Sequence, residues 1–403
     1  MKFIKNEINH FRSLPQKARD LLISYLYFGA TNPLILTFIN AFIWRKQGDI
    51  ESLAFYNIGN TIILPIIFYF NGYLLKKIKS TYLYFFGALF TAIAPITIVF
   101  FPISKSWHYL IFGSLFGVGY GIYWANRNYF TFKETASHNR NYFLGLNFSL
   151  RTLAGILVPA VIGWFIFLIP KYGYQISIVT ALILLFFSGK KIVNDNFDGP
   201  VVKNISLQKA TSSWWAIRGL VTSIGIIEGV SLFLPTLLIL TKIGSENILG
   251  SLNSFINLII AVLIYYYGRK AHVRHQKPVL FATVIIGFLA ALIFGWQFSV
   301  STTVLYIAVN YLAIEFMWLT SGPIIMDVMD KEKMGTVQNV YPLIYDQELF
   351  LDIGRLISFG ILFLLIYSFG QSNALRFSPL FVYLVQIILV LYSTNKLSRS
   401  RKV

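Results

Sequence analysis

A succession of twelve apolar stretches, each about long enough to cross a bilayer, constrains this chain more than any other feature. The hydrocarbon core requires roughly 20 mostly apolar residues per spanning helix, and only helices or closed barrels satisfy their backbone polar groups there. The runs are too long and continuous for barrel strands, so the pattern predicts an all-α integral membrane protein. The first six spans are predicted at Leu21–Ile43, Ser52–Leu75, Tyr82–Phe101, Trp107–Tyr129, Tyr142–Ile169 and Tyr172–Ser188. The second six are predicted at Trp214–Leu240, Ile248–Tyr267, Pro278–Gln297, Thr302–Met326, Val340–Ser368 and Ala374–Tyr392.

A net charge of +18 raises the question of nucleic acid, but the distribution of charge answers it. Lys and Arg cluster in the N-terminal segment, in the C-terminal tail and in the loops after every second span. The opposite face carries only Arg45, Lys46, Lys105, Lys171, Lys242 and Arg376. By the positive-inside rule the basic face is cytoplasmic. This predicts a multi-pass protein of the cell membrane with both termini inside, whose partner is the lipid bilayer and not nucleic acid. The first apolar stretch exceeds a signal-peptide core and is read as a permanent helix. The absence of cysteine excludes disulfides, thiolate metal sites and cysteine nucleophiles. The five histidines form no ligand constellation, so no metal is expected.

The longest interruption is the polar stretch Gly189–Ser213, which contains Asn194-Asp195-Asn196 and Asp198-Gly199-Pro200. It predicts a cytoplasmic N-terminal segment (1–20), a six-helix half (21–189), a central cytoplasmic loop (190–213), a second six-helix half (214–394) and a cytoplasmic tail (395–403). A weak internal correspondence sets Trp124 beside Trp318, Gly155 beside Gly354, Tyr142 beside Tyr341 and Asn147 beside Asp346.

Two six-helix halves, cytoplasmic termini and a long central loop make the chain resemble the major facilitator superfamily over essentially its whole length. That family's second loop carries Gly, an Asp four residues on, and then a basic cluster. Here Gly72-Tyr73-Leu74-Leu75-Lys76-Lys77-Ile78-Lys79 keeps the Gly and the bases, with Lys76 in place of the Asp. The second-half counterpart is Gly268-Arg269-Lys270-Ala271-His272-Val273-Arg274. The resemblance implies gating roles for Gly72, Lys76, Lys77, Gly268 and Arg269. In the fifth span Gly155 through Pro159 to Gly163 looks like the family's antiporter signature, which leans towards export and makes Pro159 a candidate hinge. The fourth span keeps Gly117-Val118-Gly119 of an efflux signature but has Gly113 where that signature has an arginine.

Ionisable residues deep within spans are the strongest functional signal, because a charge at bilayer centre costs at least about 2.5–3.5 kcal/mol. These are Arg151, Glu228, Glu315, Glu348, Asp352 and Arg355. Glu348, Asp352 and Arg355 are spaced by four and three residues, which places them on one helical face. Together the six are expected to form one substrate and coupling site, in which protonation or substrate exchanges the arginines' partners. Four carboxylates against two arginines leave an excess of two, which points to H+ or another cation. Asp346 is expected nearer the cytoplasmic end, contacting a loop as part of the gate. Arg127 is expected to snorkel to the surface. Trp124 and Trp318 are the candidate cavity aromatics.

The reading is a secondary active transporter that moves a small polar, charged or zwitterionic solute by alternating access, coupled to protons. No Walker-type loop is present, so direct ATP hydrolysis is not expected, and neither is a cofactor or an enzymatic activity. The alternative is a lipid flippase or lipid-handling protein on the same fold.

Overall fold

The computed structural model describes residues 11–103, 105–134, 140–194, 197, 202–270, 276–332 and 340–400, without the side chains of 140, 141, 144, 268–270, 399 and 400. All regular structure among them is helical. Helix α1 (Gln16–Gln47) contains one π-turn, Pro33–Thr37. Pro33 lacks the N–H that would continue the ladder, and the backbone widens there. Asp49 caps α2 (Ile50–Leu74), its carboxylate accepting from the Ser52 N–H at 2.6 Å. Then follow α3 (Ser80–Phe100), α4 (His108–Glu134), α5 (Arg140–Leu168) and α6 (Gly173–Val193). Beyond the central segment come α7 (Ser212–Lys242), α8 (Glu246–Lys270), α9 (Gln276–Gln297), α10 (Val300–Glu332) and α11 (Tyr341–Ser400).

Ten helices among the described residues are long and apolar enough to cross a membrane, so the chain is a multi-pass membrane protein. Two expected spans are treated differently in that count. Helix α4 has 27 residues but is not among the ten, and it carries Asn126-Arg127-Asn128. Helix α11 counts once although Gly370 breaks it, with φ 79° and ψ 165°, a conformation that side-chain-bearing residues avoid.

Apolar packing is lopsided along the bundle. At the end that carries Arg45 and Lys242, one cluster joins Leu34–Ile43 of α1 and Tyr56 of α2 to Leu234–Leu240 of α7, Leu249 of α8 and Phe359 of α11. Towards the other end the core splits into two clusters. One lies among α1–α6, joined by Ile344 of α11 and by Val340 just before it, and the other among α7, α9, α10 and α11. Helix α5 lies along α8, where Gly163 faces the Glu246 carbonyl and Gly250 faces the Pro159 carbonyl, each too close for a Cβ. Small residues at such crossings let two membrane helices touch backbone to backbone.

The central segment is not a free loop. Helix α6 continues to Val193, and Phe197, Val202 and Ile205 are buried. The Phe197 ring sits 5.0 Å from that of Phe130, and Ile205 packs between Gly72 and Tyr341. These apolar residues dock on the bundle, while Lys203 and Lys209 are exposed.

Candidate functional site

The expected single site resolves into two separate charge centres. The first is built on α11. Glu348, Asp352 and Arg355 do share a face, and Arg355 is turned towards α7 and α10. Its Nη2 donates to Glu228 Oε2 at 2.7 Å, and its Nη1 donates to Asp352 Oδ1 at 2.7 Å and to Glu348 Oε1 at 3.4 Å. Trp318 of α10 donates its indole N–H to the other Glu228 oxygen at 2.7 Å. All four charged side chains are largely buried, with Asp352 at 1% exposure and Arg355 at 16%. The second oxygen of Asp352 is buried without a hydrogen-bond partner. One guanidinium therefore serves three carboxylates, and the excess negative charge inferred from the sequence lies wholly here.

The second centre joins helices from either side of the central segment. Arg151 of α5 donates to Glu315 of α10 at 2.5 Å, with 43% and 25% of the two side chains exposed. The pair lines a cavity of about 250 Å³ that also includes Asn32, Thr37, Gly155, Pro159, Asn253, Asn257 and Tyr311. The π-turn of α1 and Pro159 of α5 both border it. Trp124, Trp318 and the Arg355 group lie outside its lining.

Trp124 packs edge-on against Phe28, Tyr120 and Tyr123. Arg127 is half-buried, and its guanidinium lies 4.3 Å from the ring centroids of both Tyr25 and Trp124, cation–π contacts that tie it to α1 and to its own helix. Trp124 and Trp318 match in sequence but not in role, since one flanks a cation and the other holds a carboxylate. Gly113, which departs from the efflux signature, abuts the Tyr56 carbonyl, where an arginine would not fit.

The gating candidates divide. Among the described residues Asp346 pairs with a helix instead of a loop. It accepts from the Trp214 indole at 2.6 Å and from Arg218 at 2.7 and 2.8 Å, which ties α11 to α7. Gly72 makes room for Ile205 and for Tyr341, whose hydroxyl donates to the Phe68 carbonyl at 2.6 Å and accepts from Asn71 at 3.0 Å. Lys76 and Lys77 are exposed, with the Lys76 ammonium 5.1 Å from the Tyr73 ring centroid. Gly268 and Arg269 fall on the last helical turn of α8, and their side-chain positions lie outside the described residues, as do residues 271–275 with His272, Arg274 and His275.

A third feature was absent from the sequence reading. At the fused end, Arg45 of α1 reaches Glu246 of α8 at 2.9 Å and 3.3 Å, and Tyr174 of α6 donates to the same carboxylate at 2.9 Å. Arg45 and Glu246 sit at helix ends, where charge carries no signal, and only their meeting across the bundle marks them. Arg218 was missed for a similar reason, because its partner lies on another helix.

A helical bundle fused at one end, with a mid-bundle cavity and buried ionic groups, has the build of a membrane transporter. The chain belongs to the Major Facilitator Superfamily, whose family model matches residues 21–346. It is 27% identical over 351 residues to the uncharacterized protein YqgE of Bacillus subtilis (strain 168), covering 84% of this chain and 79% of that protein. It is 31% identical over 154 residues to an uncharacterized protein in the sodM 3′ region of Geobacillus stearothermophilus, covering 38% of this chain and 72% of that protein. Among solved structures it resembles a bacterial homologue of the iron transporter ferroportin in its outward-facing state, with TM-score 0.63 and 12% identity over 94% of this chain and 100% of that one. It also resembles a structure from the proton-dependent oligopeptide transporters, with TM-score 0.69 and 10% identity over 96% of this chain and 99% of that one. These structural likenesses concern the fold.

Proposed function

We propose that this protein is a secondary active transporter that moves a small polar, charged or zwitterionic solute across the cell membrane by alternating access, coupled to protons. In this reading twelve spans form two six-helix halves, residues 21–189 and 214–394, with α4 as one span and α11 as two, hinged at Gly370. The basic loops and both termini face the cytoplasm, and the end fused around Arg45 and Glu246 faces outward. The antiporter sense, with export against inward proton flow, rests on the likeness of Gly155–Gly163 to the family's antiporter signature.

The observation that carries the reading is the group around Arg355. A carboxylate excess of two, held in a low-dielectric bundle, is costly to leave unbalanced. Uptake of one proton halves it, and of two balances it, which lets Arg355 change partners among Glu228, Glu348 and Asp352. Such an exchange is the bistable element that coupling requires. The proton-dependent transporter among the structural neighbours is consistent with it.

The test is reconstitution into liposomes that enclose a pH-sensitive dye, with labelled amino acids, nucleosides and organic acids offered under an imposed pH gradient. The expected result is solute movement beyond equilibration together with proton movement, both lost in Glu228→Gln. Solute equilibration indifferent to the gradient would overturn the coupling. Redistribution of labelled lipid without solute flux would place the protein among lipid-handling members of the fold.

A further inference from the structure

The cavity beside Arg151 has a chemistry that narrows the solute. Its unused polar capacity includes both acceptors and donors. The Oδ1 atoms of Asn32 and Asn253 are buried with no hydrogen-bond partner, and Asn253 as a residue is only 5% exposed. Asn257 commits its Nδ2 to the carbonyls of Gly155 at 3.2 Å and Asn253 at 2.9 Å, so the available end of its amide is an acceptor. The buried oxygens of Asn32 and Asn253 leave their Nδ2 amides as the ends with open space around them. The Glu315 carboxylate and the Asn257 amide oxygen therefore offer acceptors, and the amides of Asn32 and Asn253 donors, to a space of about 250 Å³.

Among the described residues the only cation lining the cavity is Arg151, which Glu315 already occupies. This sets a charge rule for any occupant that enters between them. A purely cationic solute would take Glu315 and leave Arg151 unpaired, and a purely anionic one would do the reverse. Leaving one member of such a pair without its partner forfeits a charge-assisted hydrogen bond, a loss that the half-exposed setting reduces but does not remove. A solute carrying both charges replaces each partner for the other. We infer that this cavity binds a small zwitterion, its primary ammonium on Glu315 and the Asn257 amide oxygen, and its carboxylate on Arg151 and the Nδ2 amides of Asn32 and Asn253.

The size agrees, since the cavity falls below the ~300–1,000 Å³ of pockets for drug-sized ligands. Its position also gives the exchange a consequence. Arg151 and Glu315 come from helices on opposite sides of the central segment, so the bound zwitterion replaces a direct bond between the two groups of helices with a bridge through itself. The inference deepens the transporter reading and rests on it for the meaning of binding.

The test uses the full-length protein in detergent, without a gradient, and reads ligand-induced rises in Tm for glycine, L-alanine, L-serine and γ-aminobutyrate. Each is compared with its N-acetyl form, which lacks the ammonium, and its amide form, which lacks the carboxylate. At least one parent compound is expected to bind, with both derivatives at least tenfold weaker. Asn253→Leu is expected to weaken that binding at least tenfold while the unliganded Tm stays near wild type. The paired variant Arg151→Gln with Glu315→Gln, which keeps net charge, should lose binding altogether. No binding by any of the four, derivatives equal to the parents, or unchanged affinity in both variants would overturn the inference. Liposome flux separates the two readings. Zwitterion binding without flux would leave the site standing and remove the transporter assignment, whereas gradient-driven flux of some other solute without zwitterion binding would do the opposite.

Discussion

The two charge centres are alike in residue type and opposite in construction. Around Arg355 the charges are unbalanced, buried and drawn from α7 and α11, with Trp318 of α10 donating to Glu228. At Arg151 they are balanced, partly exposed and drawn from helices on both sides of the central segment. A buried, unbalanced group responds to what enters its own low-dielectric surroundings, and the smallest such entrant is a proton. A balanced pair that lines a cavity responds instead to a ligand able to substitute for both partners. Charge count and burial thus separate a centre suited to coupling from one suited to recognition, although the sequence presents both as charges inside helices.

That contrast breaks most visibly under loss of each arginine. Arg355→Met leaves three buried carboxylates without a counter-charge and should destabilise the protein by about 3–5 kcal/mol, seen as a large fall in Tm that added Glu228→Gln and Asp352→Asn partly restore. Arg151→Met, at a half-exposed pair, should cost no more than about 1 kcal/mol. Equal effects of the two substitutions on Tm would erase the distinction.

Function should divide in the other sense. Glu228→Gln or Asp352→Asn is expected to abolish gradient-driven accumulation, by tenfold or more, while solute exchange across liposomes without a gradient persists. Arg151→Gln should reduce exchange and accumulation together, because it removes recognition. Parallel losses in both sets would merge the two centres into one.

The smallest expected effect concerns the clasp of Arg45, Glu246 and Tyr174. Glu246→Gln should change stability by less than about 1 kcal/mol, since Arg45 is 44% exposed, yet it should loosen the fused end. Because the chain has no cysteine, a single Leu36→Cys reports on this cleanly. Its modification by a membrane-impermeant thiol reagent should quicken when Glu246→Gln is added, and an unchanged rate would deny the clasp a part in closure.

Much of the architecture was legible. Apolar runs such as Pro278–Gln297 coincide closely with α9, because a helix in lipid satisfies its own backbone and needs only local sequence to declare itself. The spacing of Glu348, Asp352 and Arg355 correctly placed them on one face. Less legible were the features that depend on partners. Arg127 was read as a snorkelling charge because its aromatic clamp, Tyr25, lies on α1. Asp346 was expected to contact a loop because its partners, Arg218 and Trp214, lie on α7. The polar stretch after Gly189 concealed Phe197 and Ile205, single apolar residues whose docking no periodicity announces.

By itself the sequence determined that the chain is a helical membrane protein, roughly where its spans run, and which ionisable residues the membrane must accommodate. Each of these follows from short-range physics: the backbone's need for hydrogen bonds, the thickness of the hydrocarbon layer and the helical repeat. Only the tertiary structure decided that Glu228 joins Arg355 while Glu315 joins Arg151, and that Arg45 meets Glu246 at the fused end. Those pairings depend on which helix faces are pressed together, and the helices concerned are brought together by packing contacts that no local stretch of sequence encodes.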